Sequence, residues 1–177
     1  MKLKTIKIIG VFGIFITSFI VHFIYNIFPN ILVSIFFPVN ESIFEHMKIL
    51  FTSTLLYGII DYYLLVKNKI DFHNFRFQLF FTAFISVIIY LILYLPLFKI
   101  FRDNFIVAVG LMLVVYAIGQ YISYNLLKDI EYRFVNDLAI PFIIICYILF
   151  FYFTYNPPEN YLFYDFSKNK YGINDFR

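Results

Sequence analysis

Hydrophobic residues run along this chain in long, nearly unbroken stretches, and polar residues gather in the gaps between them. A helix that crosses a bilayer needs about 20 mainly apolar residues. Five stretches reach that length, at roughly residues 6–28, 47–66, 77–98, 105–127 and 138–155. Their continuity predicts helices, because barrel strands would alternate apolar and polar positions over about ten residues. Pro96 falls near the end of the third stretch, and Pro141 in the first turn of the fifth, where proline is tolerated. A shorter apolar piece, Ile31-Leu32-Val33-Ser34-Ile35-Phe36-Phe37, is bounded by Pro29 and Pro38. It is too short to cross and predicts an interfacial or re-entrant segment. Joined to a neighbour, it would make a sixth span. The expected fold is an all-α integral membrane bundle of about five transmembrane helices plus that short segment, in one domain over residues 1–177.

Composition points the same way. The chain is 62% hydrophobic and 14% charged, with a mean hydropathy of +0.82. Soluble domains average about 45–50% apolar and about 25% charged residues. A soluble domain of 177 residues could not hide so much apolar surface. An ordinary soluble enzyme, a disordered tail, a disulfide scaffold and a collagen-like fibre are all excluded. The net charge of +3 forms no basic block, so nucleic acid is not an expected partner. The expected partner is the lipid bilayer, with a membrane partner or a small ligand beside it. The single cysteine, Cys146, lies in an apolar run and can form no intrachain disulfide.

Lysines and arginines set an orientation. With the N-terminus in the cytoplasm, the inner side carries Lys2, Lys4, Lys7, Lys67, Lys69, Arg76, Lys128 and Arg133. The outer side carries Lys48, Lys99, Arg102, Lys168, Lys170 and Arg177, and the first loop from Pro29 to His46 has no basic residue. That bias predicts a cytoplasmic N-terminus and an external C-terminus. The apolar run after Lys2, Lys4 and Lys7 is longer than a signal-peptide core and lacks an A-x-A-like site, so it reads as an uncleaved first span.

The densest polar cluster is Pro38-Val39-Asn40-Glu41-Ser42-Ile43-Phe44-Glu45-His46-Met47-Lys48, at the mouth of the second span. Glu41 and Glu45 are four residues apart and would share a helix face if the helix began a turn early. Two close carboxylates repel and raise one pKa, which suits a proton carrier, a general acid or a divalent-cation site. A plainer reading competes with this one. Ser42-x-x-Glu45 fits a capping box, and Lys48 is placed to pair with Glu45. In the first span, His22 and Asn26 lie on one face, and a histidine in a span is costly enough to suggest function. His22, Glu45 and His46 are the metal ligands to expect if a metal binds, although the spacing matches no standard zinc signature. No cofactor is indicated. Gln120 predicts an interhelical hydrogen bond, and Gly119 with Ser123 a close helix contact. Asp61 and His73 are expected in water. After Pro157 and Pro158 the tail of residues 156–177 is too aromatic for free disorder. It is expected to fold back over the outer face, bringing Asp165 toward the acidic loop.

These residues resemble an uncharacterised family of small multi-span prokaryotic membrane proteins with a PVNESxWEHxK-like motif. The resemblance rests on Pro38-Val39-Asn40-Glu41-Ser42, Glu45-His46 and Lys48, then Asn156-Pro157-Pro158, Phe163-x-Asp165 and Tyr171-Gly172. His22 stands in the matching place in the first span. Phe44 departs from the pattern, where tryptophan is usual, but keeps an aromatic side chain. The resemblance implies a membrane fold and no established activity, substrate or cofactor.

Three functions fit these readings. One is a small transporter or ion- or proton-coupled protein, with His22, Asn40, Glu41, Ser42, Glu45, His46 and Asp165 as its polar site. The second is a membrane-embedded metal-dependent or acid/base enzyme using the same residues. The third is a structural or partner-binding subunit in which Glu45 is only a cap.

Overall fold

A computed structural model describes residues 1–102 and 104–173. Among them are α1 (Leu3–Ile27), α2 (Ile31–Phe36), α3 (Ile43–Lys67), α4 (Phe75–Phe101), α5 (Phe105–Lys128) and α6 (Arg133–Tyr155). A small hairpin follows, β1 (Tyr164–Asp165) and β2 (Lys170–Tyr171), with Tyr164 opposite Tyr171 and Asp165 opposite Lys170. All the helices but α2 are long and apolar enough to cross a membrane. Side chains cap two of their starts, Ser42 at α3 and Asn104 at α5. Because α6 starts at Arg133, Pro141 lies in its interior rather than in its first turn. The proline has no N–H, so the Asp137 carbonyl loses its usual helical donor.

Helix α3 is the centre of the bundle. Its mean hydropathy is 1.6, against 2.2–2.3 for the other four long helices, yet it has the most buried residues. Its polar side chains account for both facts. Glu45, Lys48, Thr52, Ser53, Thr54 and Asp61 all point inward and are buried. Helix α1 packs on α3 and α5, and α4 packs on α3, α5 and α6. Helix α6 buries only Ala139, Phe150 and Thr154 and shows an apolar outer face. The small-residue pair on α5 is a contact: a methyl group on Gly119 would lie 2.9 Å from Ser86 Oγ of α4. Ser123 donates to Gln78 Oε1 at 2.5 Å across the same interface.

The short segment α2 does not cross. Asn30 caps its start, and its backbone oxygens are claimed from inside the bundle. Lys48 Nζ donates to Ser34 O at 2.9 Å and Thr52 Oγ1 to Phe36 O at 2.7 Å. The last carbonyls of a helix have no intrahelical donor, and these side chains supply one. The tail folds onto the same end as α2. Phe44 N donates to Leu162 O, and Phe163 stacks at 4.7 Å from the Phe44 ring. Phe166 reaches Phe98 at the end of α4. These contacts place the described part of the tail against the loop before α3 and the end of α4; Arg177 lies outside the described residues.

At the opposite end, Asn74 holds the left-handed conformation and knits the helix ends together. Its amide donates to Leu126 O and Ile130 O, and its oxygen accepts from Tyr132 N. His73 is exposed there, as expected. Asp61 is not in water. It is buried in an ion pair with Lys7, which joins α3 to α1. Lys7 entered the orientation bias as a loop charge, but three-dimensional packing places it inside the bundle.

A buried charge left alone is far costlier than a pair replaced whole. Asp61→Leu should therefore destabilise the protein by about 3–5 kcal/mol, and adding Lys7→Met should recover more than half of that loss. Thermal unfolding of the two variants beside the native protein in detergent tests this. Equal losses in the single and double variants would refute the pairing.

Candidate functional site

The loop between α2 and α3 is built by its own side chains. Ser42 Oγ accepts from Glu45 N at 3.3 Å, which is the forward half of a capping box. The reciprocal half is missing. Ser42 N donates instead to Asn40 Oδ1 at 2.9 Å, and the Asn40 amide donates to Gly172 O at 3.3 Å. Gly172 has φ +60°, and a methyl group there would come within 2.9 Å of Pro157 and of the Thr154 carbonyl. So the turn after β2 sits directly on the end of α6, and Asn40 hooks the loop to it.

Glu45 is freed from capping to do something else. It is 1% exposed and lies 2.8 Å from Lys48 Nζ, which is fully buried. Its other oxygen accepts from Thr154 Oγ1 at 2.8 Å, and Val39 N donates to the carboxylate at 3.1 Å. Lys48 also donates to Thr154 Oγ1 at 2.5 Å. Lys48 spends all three of its N–H donors within the protein, and Glu45 accepts three donors while almost wholly buried, so neither faces a ligand. Lys48, counted as an outer loop charge in the sequence, is part of the interior.

Glu41 has the opposite fate. Helix α3 begins at Ile43, so Glu41 precedes it and does not share a helical face with Glu45. Its backbone N–H donates to Asp165 Oδ2 at 3.2 Å. Burial pushes the Asp165 carboxyl up, but donors from the Ser167 hydroxyl and from the Glu41, Lys168 and Ser167 N–H groups outweigh it and hold it below the usual carboxylate range. Asp165 therefore anchors the tail to the loop as a carboxylate, and only the Glu41 side chain faces outward, with 39% of it exposed.

Two histidines meet that side chain. His22 Nε2 of α1 lies 3.6 Å from one Glu41 oxygen, and His46 Nε2 of α3 lies 3.7 Å from the other. The rings are 6.1 Å apart and tilted by 27°. His46 Nδ1 is 2.9 Å from the Ser42 carbonyl, which can only accept, so Nδ1 carries the hydrogen and Nε2 of the neutral ring presents a lone pair. Among the described residues, the trio placed to hold a metal ion is thus His22, Glu41 and His46. Glu45 stands apart from it.

The trio sits on the lip of a cavity of about 310 Å³ that runs into the bundle between α1, α3 and α5. Phe15, Phe19, Ile49, Val109 and Met112 make its wall apolar, and Ser18 adds one hydroxyl. A smaller, more polar pocket of about 230 Å³ lies on the other side of Glu41, bounded by Asn26, Asn40, Ser167 and Lys168. His22 and Glu41 line both pockets, and His46 the apolar one alone.

A family model described as a family of unknown function, DUF6512, matches residues 1–173. The chain belongs to the DUF6512 family. No curated protein and no solved structure matches it. The family thus supplies membership and no activity, and functional argument rests on the site itself.

Three features escaped sequence reasoning. Thr154 binds both members of the Glu45–Lys48 pair, but threonines in apolar runs are too common to single out. The cavity depends on how α1 meets α5, which no local pattern encodes. Gln120 was expected to bond a neighbouring helix, yet its Oε1 is buried with no hydrogen-bond partner.

The two glutamates separate by mutation. Glu45→Gln leaves buried Lys48 without its counter-charge and should cost about 3–5 kcal/mol. Glu41→Gln, at a half-exposed loop position, should stay within about 0.5 kcal/mol of the native protein. Denaturation of both in detergent decides it. A harmless Glu45→Gln would restore Glu45 to a simple capping role.

Proposed function

We propose that this protein is a multi-pass membrane protein, with its N-terminus in the cytoplasm, that passes a small molecule along the seam between α1 and α5. The observation that carries the reading is the convergence of His22, Glu41 and His46 on a cavity entering the bundle. Ionisable groups inside a membrane are expensive and characteristically mark substrate or ion pathways.

A second cavity supports passage over chemistry. It measures about 420 Å³ and lies at the opposite end of the same seam, between Lys4, Lys7, Ile8 and Val11 of α1 and Ala117, Gln120, Tyr121 and Tyr124 of α5. Gln120 lines this region, and its buried, unpartnered oxygen packs against Gly10 of α1. Between the two sets of lining residues come Ile14 on α1 and Val115 and Tyr116 on α5, all buried. Tyr116 OH lies 3.0 Å from Ser53 Oγ of α3, which closes the middle. A membrane-embedded enzyme needs one chamber. A conduit needs an opening at each end and a closure between them. The expected substrate is amphiphilic, since a polar lip leads into an apolar wall.

Thiol accessibility tests the two-ended seam. In a Cys146→Ser background, Ala108→Cys should react with a membrane-impermeant maleimide from outside intact cells, and Ala117→Cys from the cytoplasmic side in inverted membranes. Ile118→Cys, on the exposed outer surface, should react from neither. Labelling of both cavity positions from one side, or of neither, would sink the reading.

A further inference from the structure

We propose that His22, Glu41 and His46 form a binding site for a divalent first-row transition-metal ion of the zinc type. The proposal deepens the reading above, because it rests on the same site and names what would hold a substrate's polar group there.

The spacing is the first argument. The histidine nitrogens stand 3.6 and 3.7 Å from the two carboxylate oxygens, and the candidate ligand atoms all lie within 4.8 Å of one another. Those separations are too long for hydrogen bonds. Bonds of about 2.0–2.2 Å to one ion, at near-tetrahedral angles, would place ligand atoms about 3.3–3.6 Å apart. From separations of up to 4.8 Å, the trio needs a closure of about an ångström to take up an ion.

The second argument is the orientation of His46. Its Nδ1 lies 2.9 Å from the Ser42 carbonyl, so the ring is held with Nε2 turned toward Glu41, where a neutral imidazole offers a ligand atom. Metal-bound histidines characteristically donate the other ring N–H to a carbonyl or carboxylate, which fixes the tautomer and ring orientation. That outer support is already in place here. A matching support fixes Glu41, whose N–H is held by Asp165 within the Ser167 turn.

The third argument is selection. Two imidazoles and one carboxylate suit zinc, iron, cobalt or nickel, whereas magnesium and calcium prefer all-oxygen shells. Three protein ligands leave a fourth position, the pattern of sites that act on a bound molecule rather than of closed structural ones. The about 310 Å³ apolar chamber begins at this lip, so the open position has an apolar neighbour large enough for a substrate chain.

Full-length protein, purified in detergent and stripped with a chelator, is dialysed against zinc and the bound metal counted. One zinc per chain is expected. His22→Ala, His46→Ala and Glu41→Ala should each weaken binding at least tenfold. His73→Ala should leave it unchanged, and a large excess of magnesium should not compete. Cobalt should give visible absorption bands that the three variants lose. Less than stoichiometric zinc in the native protein, or binding indifferent to His46→Ala and Glu41→Ala, overturns the site. Unfolding curves for each variant show whether lost binding reflects lost fold; a variant that fails to fold is replaced by His46→Gln or Glu41→Gln, for which the same loss is expected. Failure of zinc binding with the maleimide pattern intact overturns the metal alone, and the reverse result overturns only the passage.

Discussion

The buried pair of Glu45 and Lys48 is the interaction on which the arrangement of this bundle end depends. Two opposite charges in an apolar interior repay their desolvation only when every remaining bonding direction is also filled. Here the fillers come from all sides: Ser34 O from α2, Val39 N from the loop and Thr154 Oγ1 from α6. Satisfying one pair therefore fixes three segments against α3. The placement of Glu41, which no helix holds, follows from that fixation and from the tail that Asn40 and Asp165 tie down.

The same constraint explains the inverted hydropathy of the fold. Lipid tails are as apolar as leucine, so hydrophobicity does not drive these helices together. Specificity must come from close contacts and from polar groups that find partners only inside. Helix α3 carries those groups and so lies at the centre, joined to α1 by Lys7–Asp61, to α5 by Ser53–Tyr116 and to α6 by Thr52–Tyr147. The more apolar helices surround it and turn residues such as Ile59, Ile92, Ile106 and Ile148 outward, as α3 itself does along one edge.

This division decides what could be read from the sequence. Long apolar runs reflect a length requirement of about 20 residues, which is local, so the five long helices and the separate short segment were legible. The meeting of the loop before α3 with His22 draws on residues that stood out in the sequence, because ionisable residues are scarce in this chain. Their assignments were not legible. Glu41 and Glu45 look equivalent in sequence, and a capping box favours Glu45 as the ordered one. Only the three-dimensional meeting with Lys48 and Thr154 removes Glu45 from the site and leaves Glu41 facing two histidines. Lys7 and Asp61 fail for the same reason: each sits near a span end, where water is the default, and their burial depends on a partner 54 residues away.

The origin of each site residue has a mechanical consequence. Glu41 and His46 belong to one unit, since Ser42 both caps α3 and accepts from the His46 ring. That unit is welded to α2, α6 and the tail. His22 alone comes from α1, a helix that shares the seam with α5 and is tied to α3 at its far end by Lys7–Asp61. Anything held by all three side chains must therefore clasp α1 to α3 at the end remote from that ion pair. Anything that leaves releases the clasp while the ion pair stays. Since both cavities lie on α1, its seating decides the width of each. His22, Glu41 and His46 therefore meet where α1 joins α3 at the end remote from the Lys7–Asp61 pair.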